Sequence, residues 1–473
     1  MKKTTLTLFA VLALAAFSAT AMAAVSTPTS PGAFEFTLGG YIKMESAWDS
    51  TQINKNMSGP VQRNNDPNFH HGRLKWTANS SRFNFNFKGP KIWGAQITGL
   101  IEADFDADGG VNPAAGVAAA DTVGTGRFRL RHAMFRLNWP ETELMMGQYW
   151  GFFSNFTPES ANDAGLFTMG APSQRLAQVR VTQKFLGAYT AAVLVGAPMN
   201  NLDSAATTML GQVNLGTGGE STETPQVQGM VAFEQDLWGK AAFYGVPRGF
   251  VAQVAAGWQR NRFRRFDHQL AGQAFGQDSY VNIDIHQRDN QNLDPWMVQG
   301  SLFIPVIPTY SANLAGTASL LTQWNIGQGL QAFAEGSAQD FSYYALASPN
   351  GFEFDRKLQK RFTGFVQGQY YFTNQWFMNV AWGMSKAFGV DRATFGSQGV
   401  VNTNTGANDP TWFNWQLHST LWYRPITSLK FGLQYSYGKT HFFQRTGATA
   451  TTTDIPTTNG ENHRVMFAGF WYF

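Results

Sequence analysis

Cysteine is absent from the 473 residues. There is therefore no disulfide framework, no thiolate metal site and no cysteine nucleophile, and a covalently attached c-type haem is excluded. Charge is also scarce. Asp, Glu, Lys and Arg make up 14% of the chain, well below the soluble norm, and the formal net charge is only +4. A total this small argues against nucleic acid as a partner, so any electrostatic role must come from where the charges sit. Catalytic motifs are missing too. The eight histidines are scattered, with no G-x-S-x-G elbow and no H-E-x-x-H pair, and His70 and His71 are adjacent, so in a strand they would point to opposite faces. The aspartates at 104, 106 and 108 lack EF-hand spacing and its closing glutamate, which leaves a solvated acidic loop as their reading. Neither a metal, a cofactor nor an enzymatic reaction is expected.

Long apolar runs are lacking after the start. Lys2 and Lys3, the run Leu6 to Phe17 and Ala21-Met22-Ala23 read as a secretory signal cleaved after Ala23, with residues 24–473 as the mature domain. No later run is long enough for a transmembrane helix, which for an envelope protein leaves the periplasm or an outer-membrane barrel. What is abundant favours the barrel: 40 Phe, 15 Trp and 48 Gly. The mean hydropathy of −0.24 is what alternating lipid-facing and water-facing residues average to.

The last twelve residues, Asn462 to Phe473, set the pattern. Val465, Phe467, Trp471 and Phe473 share one strand face, and Arg464, Met466, Ala468, Phe470 and Tyr472 the other. As a free edge in water such a strand would aggregate. It makes sense with its outer face in lipid and its edge closed against the first strand, and its apolar spacing back from a terminal Phe resembles the assembly signal of bacterial outer-membrane barrels.

The alternation recurs from the other end. Phe34, Phe36, Leu38, Ile42 and Met44 oppose Glu35, Thr37, Tyr41, Lys43 and Glu45; Phe83, Phe85 and Phe87 interleave with Arg82, Asn84, Asn86 and Lys88 in a strand from His71 to Lys88. In Arg127 to Trp139 the apolar parity flips, and a bulge near His132 would reconcile the halves. Tight turns such as Gly187, Phe372-Thr373-Asn374 and Arg424-Pro425-Ile426 alternate with long polar loops, including Asn261 to Pro295 and Tyr343 to Lys360. About 17 strand candidates emerge, one of them Leu330 to Phe341. Because an even number is required, the expectation is a transmembrane antiparallel barrel of 16 strands, with 18 as the alternative.

Specific segments then carry a resemblance. Gly39-Gly40-Tyr41-Ile42-Lys43, Ser81-Arg82-Phe83, Ile101-Glu102-Ala103-Asp104-Phe105, Arg129-Leu130-Arg131-His132-Ala133 and Gly147-Gln148-Tyr149-Trp150 resemble the DcaP-like branch of trimeric outer-membrane porins. The resemblance covers about the first third of the mature chain and the last strand. It implies a 16-stranded homotrimer in the outer membrane of a Gram-negative bacterium whose third external loop folds into each pore. Here that loop is Gly151 to Pro172, and Phe152, Phe153, Phe156, Leu166 and Phe167 make it too apolar to stand in water. Folded inward it would carry Glu159 and Asp163 towards the lumen, whereas an external loop packed at a subunit interface is the other reading.

Opposite charge comes from the strands. Arg73, Lys75, Arg82 and Lys88, then Arg127, Arg129 and Arg131, then Arg175, Arg180 and Lys184 have parities compatible with the lumen. On the lipid face at mid-depth each would cost about 2–4 kcal/mol. Beside a water-filled path they form an anion track, and neutralised by Glu35, Glu45, Glu102 and Asp104 they would select little. The expected function is a diffusion channel for small hydrophilic solutes, favouring anions such as small carboxylates. The alternative is a non-conducting barrel that serves as sheath or scaffold for an electron-transfer or surface complex, although a sheath calls for a wider barrel.

Overall fold

A computed structural model describes residues 34–473 apart from 52, 54–60, 62–63, 65–66, 108–125, 163–169, 199–222, 271–282, 335–340, 349–350, 389–410 and 443–458. Sixteen antiparallel strands close into a barrel: β1 (Glu35–Asp49), β2 (Arg82–Ile92), β3 (Ala95–Ala107), β4 (Arg127–Asn138), β5 (Thr142–Trp150), β6 (Arg175–Phe185), β7 (Tyr189–Gly196), β8 (Gln226–Gln235), β9 (Phe250–Trp258), β10 (Trp296–Ile307), β11 (Ala318–Gln328), β12 (Lys360–Tyr371), β13 (Trp376–Phe388), β14 (Thr411–Ile426), β15 (Leu429–Phe442) and β16 (Asn459–Tyr472). Each pairs with its sequence neighbours. The ring closes where β16 meets β1, with Tyr41 opposite Tyr472 through to Asp49 opposite Arg464.

The faces follow from the alternation. Phe36, Ile42, Val465 and Trp471 are exposed on the outside, while Lys43, Asp49, Arg464 and Ala468 on the opposite parity are buried inside. In hydrocarbon only a closed ladder satisfies every strand peptide, and the terminal residue takes part: Phe473 and Gly40 exchange backbone hydrogen bonds at 3.2 Å. Gly40 has φ +151°, and a Cβ there would lie 2.2 Å from the Arg82 carbonyl oxygen, so the close approach of β2 admits only glycine.

Three expectations need correction. Asp104 and Asp106, read as part of a solvated acidic loop, lie in β3, and the Asp104 side chain is 1% exposed. The strand read from His71 to Lys88 is two pieces. A seventeenth segment, Arg73–Thr77, pairs with the upper half of β1, and β2 pairs with the lower half. Between them the Ser81 hydroxyl accepts from the Lys43 N–H at 3.0 Å and donates to its carbonyl at 3.3 Å, filling the gap in the ladder. This break shifts the parity. Unbroken, the strand would send Arg73 and Lys75 to the face opposite Arg82 and Lys88; instead Leu74 and Trp76 point out, as Phe87 does. Another correction concerns Leu330 to Phe341: of its described residues, Leu330–Phe333 is a 3₁₀ turn and Phe341 opens a hairpin outside the barrel, so this apolar run is the surplus strand candidate. Its Phe333 ring meets Phe153 at 5.5 Å, so its apolar residues serve a turn packed inside the barrel rather than a strand facing lipid.

The bulge expected near His132 is present. Register slips between Glu102, opposite His132, and Ala103, opposite Leu130. The regions read as long loops at 261–295 and 343–360 contain β-hairpins, Asn261–Leu270 with Ile283–Leu293 and Phe341–Ser348 with Gly351–Leu358, which join in a separate four-stranded sheet. The segment read as a signal lies outside the described residues.

At the seam, Asp49 receives two bonds from Arg464, at 2.7 and 2.9 Å, and one from Asn462 at 2.8 Å, with both charged side chains buried. Replacing Arg464 by Met strands the Asp49 carboxylate and should destabilise the barrel by about 3–5 kcal/mol, whereas the double replacement Asp49→Leu with Arg464→Met should recover most of that. Denaturant unfolding in detergent reads both; equal losses in single and double variants would contradict the assignment.

Candidate functional site in the barrel lumen

The third loop leaves β5 and turns into the barrel. Gly151 N–H donates to the Gln174 carbonyl at 2.9 Å, closing its base, and Phe152, Phe153 and Phe156 are buried. The inward course has a cost, because a loop inside a barrel needs partners for its peptides. Glutamines and an asparagine on the wall opposite supply them. Gln228 accepts from the Phe152 N–H at 2.8 Å, Gln299 donates to the Phe153 carbonyl at 3.1 Å, and Gln367 accepts from the Glu159 N–H at 2.7 Å. Gln434 accepts from the Ala161 N–H at 2.8 Å, and Asn325 donates to the Gly170 carbonyl at 3.0 Å. The loop is thus sewn to β8, β10, β12, β15 and β11. The first loop also dips in at the mouth, where the Val61 N–H donates to Thr440 Oγ1 at 2.9 Å.

Glu159 does not line open space. It crosses to the far wall, where Lys430 Nζ lies 3.1 Å from Oε1 and Gln369 donates to Oε2 at 2.8 Å. Lys430 also sits over the Trp422 ring at 4.2 Å. The pair is buried, so it acts as a latch for the loop. Asp163, its expected companion, lies outside the described residues.

The cations expected to line the lumen are found mostly on the other wall, β2 to β6, and most are matched. Arg129 binds Asp104 through two bonds, at 2.9 and 2.7 Å, and approaches Asp106 at 3.5 Å. Arg131 reaches Glu102 at 2.7 Å and Asp104 at 2.9 Å, and Arg82 reaches Glu102 at 3.5 Å while lying over Tyr41. Arg127 is exposed and stands opposite Asp106 in register. Arg180 has a different environment: it bonds Gln178 Oε1 and the Trp150 carbonyl and stacks on Phe152 at 4.6 Å. Arg73 and Lys75 lie apart, near the external mouth; Lys75 donates to the Ile53 carbonyl at 3.1 Å.

Two features escaped the sequence reading. Arg136, 3.7 Å from Glu143 and over Tyr149, belongs to the charged wall. The glutamine wall was missed entirely, although pairs at strand spacing, Gln226 with Gln228 and Gln367 with Gln369, signal it. Depth varies pair by pair: the Asp104 side chain is 1% exposed against 32% for its partner Arg129, whereas Arg131 at 9% is no more exposed than Glu102 at 13%, and Arg136 and Glu143 are alike at 26% and 27%. Among the described residues no group of three His, Cys, Asp or Glu could hold a metal ion.

A closed 16-stranded antiparallel barrel, apolar outside, polar inside and narrowed by its third loop, has the outer-membrane porin fold. Comparison with solved structures agrees. The chain is similar to the outer membrane channel DcaP of Acinetobacter baumannii, with TM-score 0.61 and 17% identity over 94% of this chain and 99% of that one. It is also similar to the anion-selective porin of Comamonas acidovorans (TM-score 0.49, 10% identity, 93% and 100% covered) and to OmpT, an outer membrane protein of Vibrio cholerae (0.48, 9%, 94% and 99%). No protein-family model matches the sequence, and no curated protein matches it.

Replacing Lys430 by Met should leave Glu159 buried with Gln369 alone. Hydrogen exchange at loop residues 159–162 should accelerate by roughly a hundredfold, the equivalent of losing about 3 kcal/mol. Unchanged exchange would show that the glutamine contacts alone hold the loop.

Proposed function

We propose that the protein is an outer-membrane porin, a passive diffusion channel for small hydrophilic solutes that favours anions such as small carboxylates. It performs no covalent chemistry in this reading, and it assembles as a homotrimer, as its DcaP-like motifs imply. One observation carries the anion preference. On the wall formed by β2 to β6, seven arginines (82, 127, 129, 131, 136, 175 and 180) stand with four carboxylates (Glu102, Asp104, Asp106 and Glu143), and the most deeply buried of these carboxylates, Asp104, is bound by the more exposed Arg129. Because arginines outnumber carboxylates there, a solute passing this wall meets a positive field that the paired acids lower without reversing. The sheath reading is less well supported, since a third loop sewn across the lumen occupies the space that an enclosed protein would need.

The mechanism is selection without gating chemistry. The loop narrows the path and removes water from the glutamine wall, so the charged wall meets the solute in a confined space of reduced dielectric, where each charge acts more strongly than in bulk water.

Planar bilayers under a KCl gradient test this. The purified protein should conduct, with a reversal potential on the chloride side. Replacing Arg127, Arg129 and Arg131 by Gln leaves four arginines against four carboxylates, and the potential should move towards that of potassium. A potential that stays put would remove the arginine track as the selective element.

A further inference from the structure

At the short-turn end of the barrel the connection between β8 and β9 behaves unusually. It forms a hairpin, Ala241–Phe243 with Val246–Arg248, that turns into the lumen instead of capping the rim. Ala241 and Ala242 are buried, and Ser319 on β11 donates to the Ala242 carbonyl at 3.1 Å. Phe243 packs on Phe303 of β10 at 5.1 Å and on Phe156 of the third loop at 5.9 Å. A segment from the periplasmic end therefore meets the loop that enters from outside.

Their junction is Tyr244. Its phenol oxygen accepts from the Thr157 N–H at 3.2 Å, lies 2.9 Å from Thr157 Oγ1, and donates to the Thr157 carbonyl. One hydroxyl thus serves both backbone groups of a loop residue that the glutamine wall leaves to it. The turn itself does not call for tyrosine. Tyr244 and Gly245 have φ of 49° and 82°, the two-residue hairpin geometry that favours Asn-Gly, and a bulky residue in the left-handed region is strained. Glycine suits the next position, because a φ of 82° is one that residues with a Cβ rarely adopt. Arg248, held by Glu234 at 2.9 and 2.8 Å, covers the Phe243 ring at 4.5 Å and stiffens the base.

We infer that Tyr244 is a positioning residue: the periplasmic hairpin carries it into the lumen to hold Thr157, so the constriction is set from both ends of the barrel. Its effect on conduction rests on the porin reading, but its effect on the loop does not. The test is Tyr244→Asn, which suits the turn better and removes both the reach to Thr157 and the ring contact with Phe243 at 4.5 Å, with Tyr244→Phe as a second variant that keeps the ring and loses only the hydroxyl. Two readouts are taken. Single-channel recordings should show a shifted conductance level and closures absent from the parent, larger for Asn than for Phe. In the cysteine-free chain, Ala161→Cys reports on the loop, since Ala161 is fully buried. Maleimide labelling of that cysteine should be faster in the Tyr244→Asn background, with heat-modifiability of the barrel unchanged. Equal labelling rates and superimposable traces would overturn the inference. Faster labelling in a protein that carries no current would uphold the positioning role and overturn the porin reading instead.

Discussion

A strand sheet in hydrocarbon has one overriding constraint: no peptide group may be left without a partner. The pairing of β1 with β16 meets it, down to the exchange between Gly40 and Phe473. Once the ring is closed, parity does the rest. Each strand must give one face to lipid and the other to the interior, and the aromatic comb of the last strand and the polar set of the first are the same rule seen from the two ends of the chain.

The same constraint reappears inside. A loop folded into the lumen brings in unpaired peptides, and they are satisfied by neutral side chains, chiefly amides, rather than by charges. Glutamine suits this task because it both donates and accepts at the end of a side chain long enough to reach from the wall. The lumen is thereby divided between two jobs. Strands β8 to β15 hold the loop chiefly with amides, while β2 to β6 carry the arginines and their carboxylate partners. Ion pairs on that second wall offset the repulsion among its clustered arginines.

Much of this is legible in the sequence because it depends on period and size. The facing residues of the first and last strands, the bulge near His132 and the third loop's need to pack are direct readings of alternation or of misplaced phenylalanine. Errors arose where period alone is ambiguous. Leu330 to Phe341 has enough apolar residues for a strand, but Leu330–Phe333 forms a turn whose Phe333 packs on Phe153, and the break at Ala78–Ser81 is invisible because a serine side chain replaces the missing ladder bonds. Glu159 could be placed on the loop but not on Lys430, since a partner 271 residues away leaves no local trace. The amide wall leaves a fainter mark, since neutral glutamines on a strand face carry no charge to set them apart from other polar residues there.

The central claim is that the third loop covers one wall of the lumen and leaves the other wet. Single cysteines, introduced at Asn84 or Thr182 on the charged side and at Thr420 or Ser436 beneath the loop, can be challenged with a water-soluble thiosulfonate while current is recorded. The account predicts rapid reaction and a fall in current for the first pair and none for the second. Equal reaction at all four, or reaction only at Thr420 and Ser436, would contradict it.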